Sequence, residues 1–494
     1  MENLDQREES LQKSRPEARN NRKKKIRSKP IIVLGVFYTA LMFSLLGYIT
    51  NYAYSNRQEL MNNSYNTRQQ ILLAQNYRGE ILSRNGDVLA YTQTAEDGTE
   101  TRVYPYGKEF AHVVGYSTNG KAGIEASANY YLINTSINLQ DKVKYETSGS
   151  KYPGDNVYTT LDVTLQEVAF NALSARKGAV IVSDPRTGEI LAMVSKPDFD
   201  PNTIADEWDK LIEDKSPDAK LLNRATQGVY PPGSTFKIVT ALAYIKAHPD
   251  DYASFRYSCN GKYIYEGYSI NCYHGENHGA VDFTSAFAKS CNSAFANIGL
   301  QVDEGTFNEA LSDLMFNQDL PLTINYSKSR AVYDDTTGTG DVMQLSIGQG
   351  TTSVTPIHMN MITCAIANDG LLMKPYLVSQ VKSETGKVIK TFSAEEYKRL
   401  MSAEEAEILT GMMEQVVNSG TASRLKGLSY TAAGKTGSAE FNSETSDSHA
   451  WFTGFAPADD PEICVTIIVE NAGSGGSYAV PIAKRIFDAY FGVE

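Results

Sequence analysis

Residues 31–50, IIVLGVFYTALMFSLLGYIT, contain no charged side chain. A run of that length, rising about 1.5 Å per residue, spans a hydrocarbon core of about 30 Å, so it reads as a membrane-crossing helix. The basic stretch NRKKKIRSKP precedes it, and no comparable cluster flanks its far end. That asymmetry predicts a cytoplasmic N-terminus and an outward-facing remainder. Tyr48, Tyr52 and Tyr54 suit the far interface. A cleaved signal peptide is the competing reading. The run is long for one, and Asn51–Asn56 offers no small-x-small cleavage site. No second apolar run of comparable length follows, which excludes a multi-span transporter.

The charge balance excludes another class. Residues 1–29 carry ten Lys/Arg against five Asp/Glu, while the rest of the chain carries a net −17. An acidic body argues against a nucleic-acid partner, because phosphate binding needs a basic face. With 494 residues, 41% of them hydrophobic, the chain is long enough for two or three domains with sizeable cores.

Beyond the span, residues 51–75 read as a polar helical stem. Turn signals from Tyr77 onward (RNGD, EDGT, STNG, TSGS) mark a small β-containing module ending near Pro153. Asp162 then caps an amphipathic helix with Leu165, Val168, Ala169 and Leu173 on one face. GAVIVSDPRTGEILAMVS reads as a hairpin about an Asp-Pro turn. SYTAAGKTGSAEF, HAWFTGFAP and EICVTIIVEN are three further strands, the last β-branched enough to be central, and a helix closes the chain. Strands at both ends of a mostly helical stretch predict one α+β domain whose first and last segments share a sheet.

The chemistry centres on VYPPGSTFKIVTA. Ser-x-x-Lys occurs six times in the chain, at Ser10, Ser148, Ser174, Ser234, Ser379 and Ser423, so spacing alone selects none of them. Context selects Ser234. Pro231, Pro232 and Gly233 break the chain, so a helix starts at about Ser234, with Ile238, Leu242 and Ile245 as its buried stripe. The unpaired N–H groups of a helix start favour developing negative charge, and Lys237 shares a face with Ser234. To act as a base, Lys237 must be neutral, which burial and a second cation both promote. That need calls for another lysine and a hydroxyl relay. KSCNSAF supplies Ser290 and Asn292, and GKTGSAEF supplies Lys435, Thr436, Gly437 and Ser438 on a strand. Gly437 permits close approach of a substrate backbone to an edge strand. Thr436 and Ser438 can hold a carboxylate, and the N–H groups of Ser234 and Ser438 can form an oxyanion hole. Read singly, Ser290 and Asn292 are ordinary cap residues and Lys435 a solvated strand-end lysine.

Taken in order, Ser234-Thr-Phe-Lys237, Ser290-Cys-Asn292 and Lys435-Thr-Gly437 resemble the signature set of penicillin-binding proteins and serine β-lactamases. YRGEILSRNGDVLA, SDPRTGEILAMVSKPDFDPN, LLNRATQGVYPPGSTFKI and SIGQGTTSVTPIHM extend the resemblance to class B penicillin-binding proteins over most of the chain from Tyr77. The resemblance implies a bitopic membrane protein with its catalytic domain on the cell-wall face. Its parts would be a cytoplasmic tail (1–29), an anchor (30–50), a stem module (51–152) and a transpeptidase domain (153–494) with a central antiparallel sheet flanked by helices. It also implies a D,D-transpeptidase in which Ser234 attacks D-Ala-D-Ala, releases the terminal D-Ala and passes the acyl group to a neighbouring stem-peptide amine. Lys237 would be the base. Ser290 would relay protons, Asn292 would orient Lys237 and substrate, and Lys435 would supply positive potential. β-Lactams would be inhibitors. A glycosyltransferase of the SEDS family would be the partner, because the 100 residues 51–150 are too few for a glycosyltransferase domain. No cofactor is required and no metal enters the catalytic set. The alternative is an idle wall-assembly scaffold of the same fold.

Five cysteines remain. Cys364 and Cys464 lie in apolar runs and read as core, and Cys291 reads as a small buried filler. Cys259 and Cys272, with His274 and His278, are compatible with a disulfide, a zinc site or neither.

Overall fold

A computed structural model of the chain describes residues 28–56, 68–442 and 447–493. Most of the basic tail, and residues 57–67 of the expected helical stem, lie outside the described residues. The apolar run is one helix, Ser28–Ser55, whose length and composition suffice to cross a membrane. It belongs to a unit ending at Met61, and residues 62–494 form a second compact unit.

Within the second unit, the stem region is built on a six-stranded sheet. Ile81–Leu82, Val88–Thr94, Glu100–Val103 and Asn156–Thr159 contribute four strands. The other two, Val378–Lys382 and Val388–Thr391, come from far along the chain. The stem sheet and the catalytic sequence therefore share strands across the expected boundary at 152/153. Glu125 lies fully buried in this module, salt-bridged by Arg102 Nε at 2.8 Å and hydrogen-bonded by Arg78 Nε at 2.6 Å.

The catalytic region is a five-stranded antiparallel sheet. Its strands are β1 (Gly178–Ser183), β2 (Ile190–Lys196), β3 (Ala433–Asn442), β4 (Asp447–Ala456) and β5 (Ile463–Val469), in the spatial order β3-β4-β5-β1-β2. The two ends of the domain do join in one sheet, and β5 is its middle strand with every residue buried. A β-branched run covered on both faces takes this place because its stiff side chains pack well on a pleated surface. Helix Val163–Leu173 has the expected cap, with the Leu165 N–H on the Asp162 carboxylate at 3.0 Å.

Four helices matter to the site: α1 (Lys237–Ala247), α2 (Asn292–Gly299), α3 (Pro356–Ala367) and α4 (Gly475–Phe491). Every residue of α3 is buried, and the helix packs on β5, β4 and β1. Such all-round burial marks a core helix rather than a surface one. The stretch between β2 and β3 also holds short hairpins, among them Lys262–Tyr265 with Tyr268–Asn271, where the sequence suggests mainly helix. Their alternation is too brief to stand out in the sequence pattern.

Candidate active site

Ser234 does not open an α-helix directly. Gly233–Phe236 forms a 3₁₀ turn and α1 begins at Lys237. Gly233 sits at φ +52°, a conformation that glycine adopts without a Cβ penalty. Any Cβ there would come 2.8 Å from Ala439 Cα, so the missing side chain also lets the nucleophile turn dock on β3. Gly348 braces the turn from behind. Its carbonyl accepts the Gly233 N–H at 2.9 Å, and a Cβ on Gly348 would stand 2.2 Å from the Gly233 carbonyl oxygen. Trp451 Nε1 donates to Pro231 O at 3.1 Å. Sequence reading found neither brace, although the closely spaced Gly348 and Gly350 are the signal that could have flagged the first.

Lys237 has none of its surface exposed. Its Nζ lies 2.6 Å from Ser290 O, 2.8 Å from Asn292 Oδ1 and 3.3 Å from Ser290 Oγ. Burial draws this amine down to about 7, against a smaller upward pull from Cys291 and Cys272. A neutral amine has two N–H bonds, which the Ser290 carbonyl and Asn292 amide oxygens can accept, and one lone pair left for a hydroxyl proton. The Ser234 hydroxyl, half-buried beside α1, has no hydrogen-bond partner among the described residues and keeps its proton to give.

Lys435, equally buried, donates from β3 to Ser290 Oγ at 3.0 Å and to Thr436 O at 2.9 Å. Burial, and secondarily the nearby Lys237 charge, hold its amine well below the ordinary lysine range. The second lysine and the relay hydroxyl demanded by a neutral base thus meet in one cluster. Ser290 itself sits at φ +56°, outside the regions a serine prefers, a local strain of the kind that concentrates at functional sites. Asn292 opens α2 and is held by its own Nδ2, which donates to Asn271 O at 3.0 Å.

The strand β3 is the sheet's edge. The Gln349 amide pairs with Glu440 on its outer side, nitrogen to O at 3.0 Å and oxygen to N at 3.2 Å. Alternate residues of an antiparallel strand face opposite neighbours, so the N–H and C=O of Ser438 and Thr436 point outward like those of Glu440. An extended peptide has an edge to pair with there. The Thr436 hydroxyl bonds that of Thr421, and the Ser438 hydroxyl lies 3.4 Å from the Gly475 N–H at the start of α4. Gly437 has a closer reason than substrate approach. A Cβ there would meet Pro232 O at 3.1 Å and Thr235 Cγ2 at 3.2 Å, so the glycine seats the nucleophile turn against β3.

Sequence, order and geometry agree with one family. The chain matches the penicillin binding protein transpeptidase domain over residues 178–488, and the penicillin binding protein A dimerisation domain over residues 78–157. It belongs to the penicillin-binding protein family. The class B grouping suggested by its motifs stands. Peptidoglycan D,D-transpeptidase PbpA of Mycolicibacterium smegmatis is 32% identical over 460 residues, covering 85% of this chain and 91% of that one. The structure of penicillin-binding protein A from Mycobacterium tuberculosis as its ceftriaxone acyl-enzyme superposes with a TM-score of 0.77 at 28% identity, over 84% of this chain and 98% of that one. The penicillin G acyl-enzyme of the same protein gives 0.76 at 28% identity, over 84% and 100%.

The remaining candidates of this penicillin-binding protein divide. Cys259, Cys272 and His278 come together, as free thiols and an imidazole, and Cys291 joins them. Cys291 is fully buried, as the sequence suggests. His274 stays outside the group, exposed and with its ring against Tyr273.

Proposed function

We propose that the chain is a peptidoglycan D,D-transpeptidase acting through a Ser234 acyl-enzyme. The observation that carries this reading is the burial of two lysines on one serine hydroxyl, beside a Ser234 hydroxyl with no partner among the described residues. Lys237 takes the Ser234 proton as the oxygen attacks the penultimate D-Ala carbonyl. The oxyanion is held by the Ser234 and Ser438 N–H groups. The terminal carboxylate lies against Thr436 and Ser438, in the positive potential supplied by Lys435. Ser290, receiving an N–H from Lys435, passes a proton onward to the departing D-Ala amine. The acyl bond to Ser234 Oγ forms as the amide C–N bond breaks. An incoming stem-peptide amine then reverses the sequence, losing a proton as its own amide forms and Ser234 is regenerated. β-Lactams follow the first half and stop at the acyl-enzyme, the state recorded for the M. tuberculosis relative.

The apolar helix, with the basic residues before it, supports a single-pass anchor that places this site on the cell-wall face. A SEDS-family glycosyltransferase would supply the glycan strands.

Incubation of the purified chain with a fluorescent penicillin, followed by peptide mass spectrometry, tests the mechanism. One adduct on Ser234, absent from Ser234→Ala, is expected. An unlabelled chain, or an adduct on another residue, refutes it.

A further inference from the structure

Two consecutive prolines lead into the nucleophile turn, and proline has no N–H to donate. The Tyr230 N–H is held by Val354 O at 3.0 Å, and the Gly233 N–H by Gly348 O. Between them, Pro231 and Pro232 give the chain no backbone donor with which to grip the fold. A tie at this point has to come from a side chain. Trp451 Nε1 on Pro231 O is one. A second is Tyr230 itself, whose hydroxyl donates to Glu470 Oε1 at 2.8 Å. Arg224 Nε donates to that same oxygen at 2.8 Å.

This group is built into the protein rather than laid on it. Tyr230 and Arg224 are buried, and the Glu470 side chain is only 15% exposed. The Tyr230 ring stands edge-on to His449 and Trp451 of β4, with centroids 5.5 and 6.1 Å away. Gly228 makes room for it, since a Cβ there would fall 2.5 Å from the ring. Arg224 also donates to the carbonyls of Pro217, Asp218 and Ala219, at 3.4, 2.6 and 3.3 Å. Paired with this guanidinium, the Glu470 carboxylate makes a charge-assisted acceptor for the phenol. Burial and the Glu470 charge raise the Tyr230 phenol above its ordinary range, so it keeps its proton and donates.

Glu470 also stands at a fork. It follows the last residue of β5 and opens the segment that reaches α4 at Gly475, whose N–H faces the Ser438 hydroxyl. Gly475 backs onto β3, where a Cβ on it would lie 2.6 Å from Gly437 O. One arm therefore runs through Tyr230 to Ser234, and the other through residues 471–475 to Ser438. These two ends carry the N–H groups assigned above to the oxyanion hole. Building on the Ser234 acyl-enzyme reading, we propose that Glu470 and Tyr230 are positioning residues of the transpeptidase reaction, their hydrogen bond holding the Ser234 N–H in register with that of Ser438. Both act through the backbone and touch no reacting atom.

Tyr230→Phe deletes one oxygen and keeps both the ring and the Arg224–Glu470 pair. In the full-length chain, saturation kinetics with a fluorescent penicillin separate initial binding from acylation. The acylation rate constant should fall about 10-fold, with initial binding within about twofold of the parent and the melting temperature within about 4 °C. Glu470→Gln should slow the same step. The double variant should be no slower than the slower single one, since both changes weaken one contact. Hydrogen exchange at the Gly233–Phe236 amides should quicken at least about threefold in Tyr230→Phe, with exchange in β2 unchanged. Acylation at the parent rate, a loss confined to initial binding, additive losses, or a rate loss accompanied by general unfolding overturns the positioning role. Exchange does not depend on chemistry at Ser234. Unchanged exchange at the turn therefore overturns the role even in a chain that takes no penicillin, whereas an unlabelled parent counts against the acyl-enzyme reading alone.

Discussion

Lys237 and Lys435, both without exposed surface, converge on a single oxygen atom, the Ser290 hydroxyl, at 3.3 Å and 3.0 Å. Two ammonium groups cannot share one buried hydroxyl cheaply, since burial strips both of solvation and, among the described residues, no carboxylate lies within hydrogen-bonding reach of either. Both amines are therefore held below the ordinary lysine range, Lys237 at about 7. Ser290, accepting from one amine, is free to give its own proton to the other.

The acylation rate should follow that titration. Below about pH 7 Lys237 holds its extra proton and has no lone pair for Ser234. The second-order rate constant with a fluorescent penicillin should rise with pH through about 7, close to tenfold per unit on the acid limb. Stopped-flow measurement between about pH 5.5 and 8.5 checks this, and a flat profile would rule out Lys237 as the titrating base.

Replacing Ser290 separates relay from conformation. Ser290→Ala and Ser290→Gly should both slow acylation by about 10²–10⁴-fold, since each removes the hydroxyl. They should differ in stability. The left-handed backbone at φ +56° suits glycine, so Ser290→Gly should be more stable than Ser290→Ala by about 1 kcal/mol in chemical denaturation. Equal stabilities would mean that the strain is absent.

Gly348→Ala should act on the nucleophile without touching it. The new methyl would meet the Gly233 carbonyl from a residue at φ +71°. Displacing Ser234 by even about 1 Å should lower acylation about 100-fold. The labelled residue should remain Ser234, and a variant of normal rate would show that the brace is slack.

In the stem, Glu125 makes an acid-sensitive lock. Burial pushes its carboxyl up, but Arg102 and Arg78 together outweigh that and hold it below the usual carboxylate range. A lowered folded value means stability that is full above the unfolded pKa of about 4.3 and lost as pH falls further. Glu125→Ala leaves two buried guanidinium groups unpaired and should cost about 3–5 kcal/mol by denaturant titration at neutral pH. A loss under about 1 kcal/mol would contradict the buried-pair reading.

Much of the site is legible in sequence because its chemistry is stoichiometric. A lysine that must be neutral needs a second cation and a hydroxyl, and of the six Ser-x-x-Lys copies only Ser234 follows a Pro-Pro-Gly break with Ser290 and Lys435 downstream. β5 is legible because seven buried β-branched and apolar residues admit little else. What stays hidden is set by distance along the chain. Nothing local in Val378–Lys382 announces that it pairs with Asn156–Thr159 in the stem sheet. Gly233 reads only as part of the break before a helix, and nothing local shows that its positive φ and the press of Ala439 make it a fixed corner. Cys291 reads as filler because its partners are a hairpin end and a loop histidine, which no periodicity connects to it.

The spatial order of the central sheet also bears on synthesis. A chain made from its N-terminus completes β1 and β2 early, and Ser234 soon after. Yet β1 pairs on its inner side only with β5, which ends at Val469. Until that strand has been made, the nucleophile has no β3 edge to work against, and its two lysines lie in separate, unpacked segments. Long-range pairing of this kind is slow, and it is all-or-none. An interrupted polypeptide would carry the complete Ser-x-x-Lys sequence and remain chemically silent, so reactivity with penicillin doubles as a sign that the chain was finished.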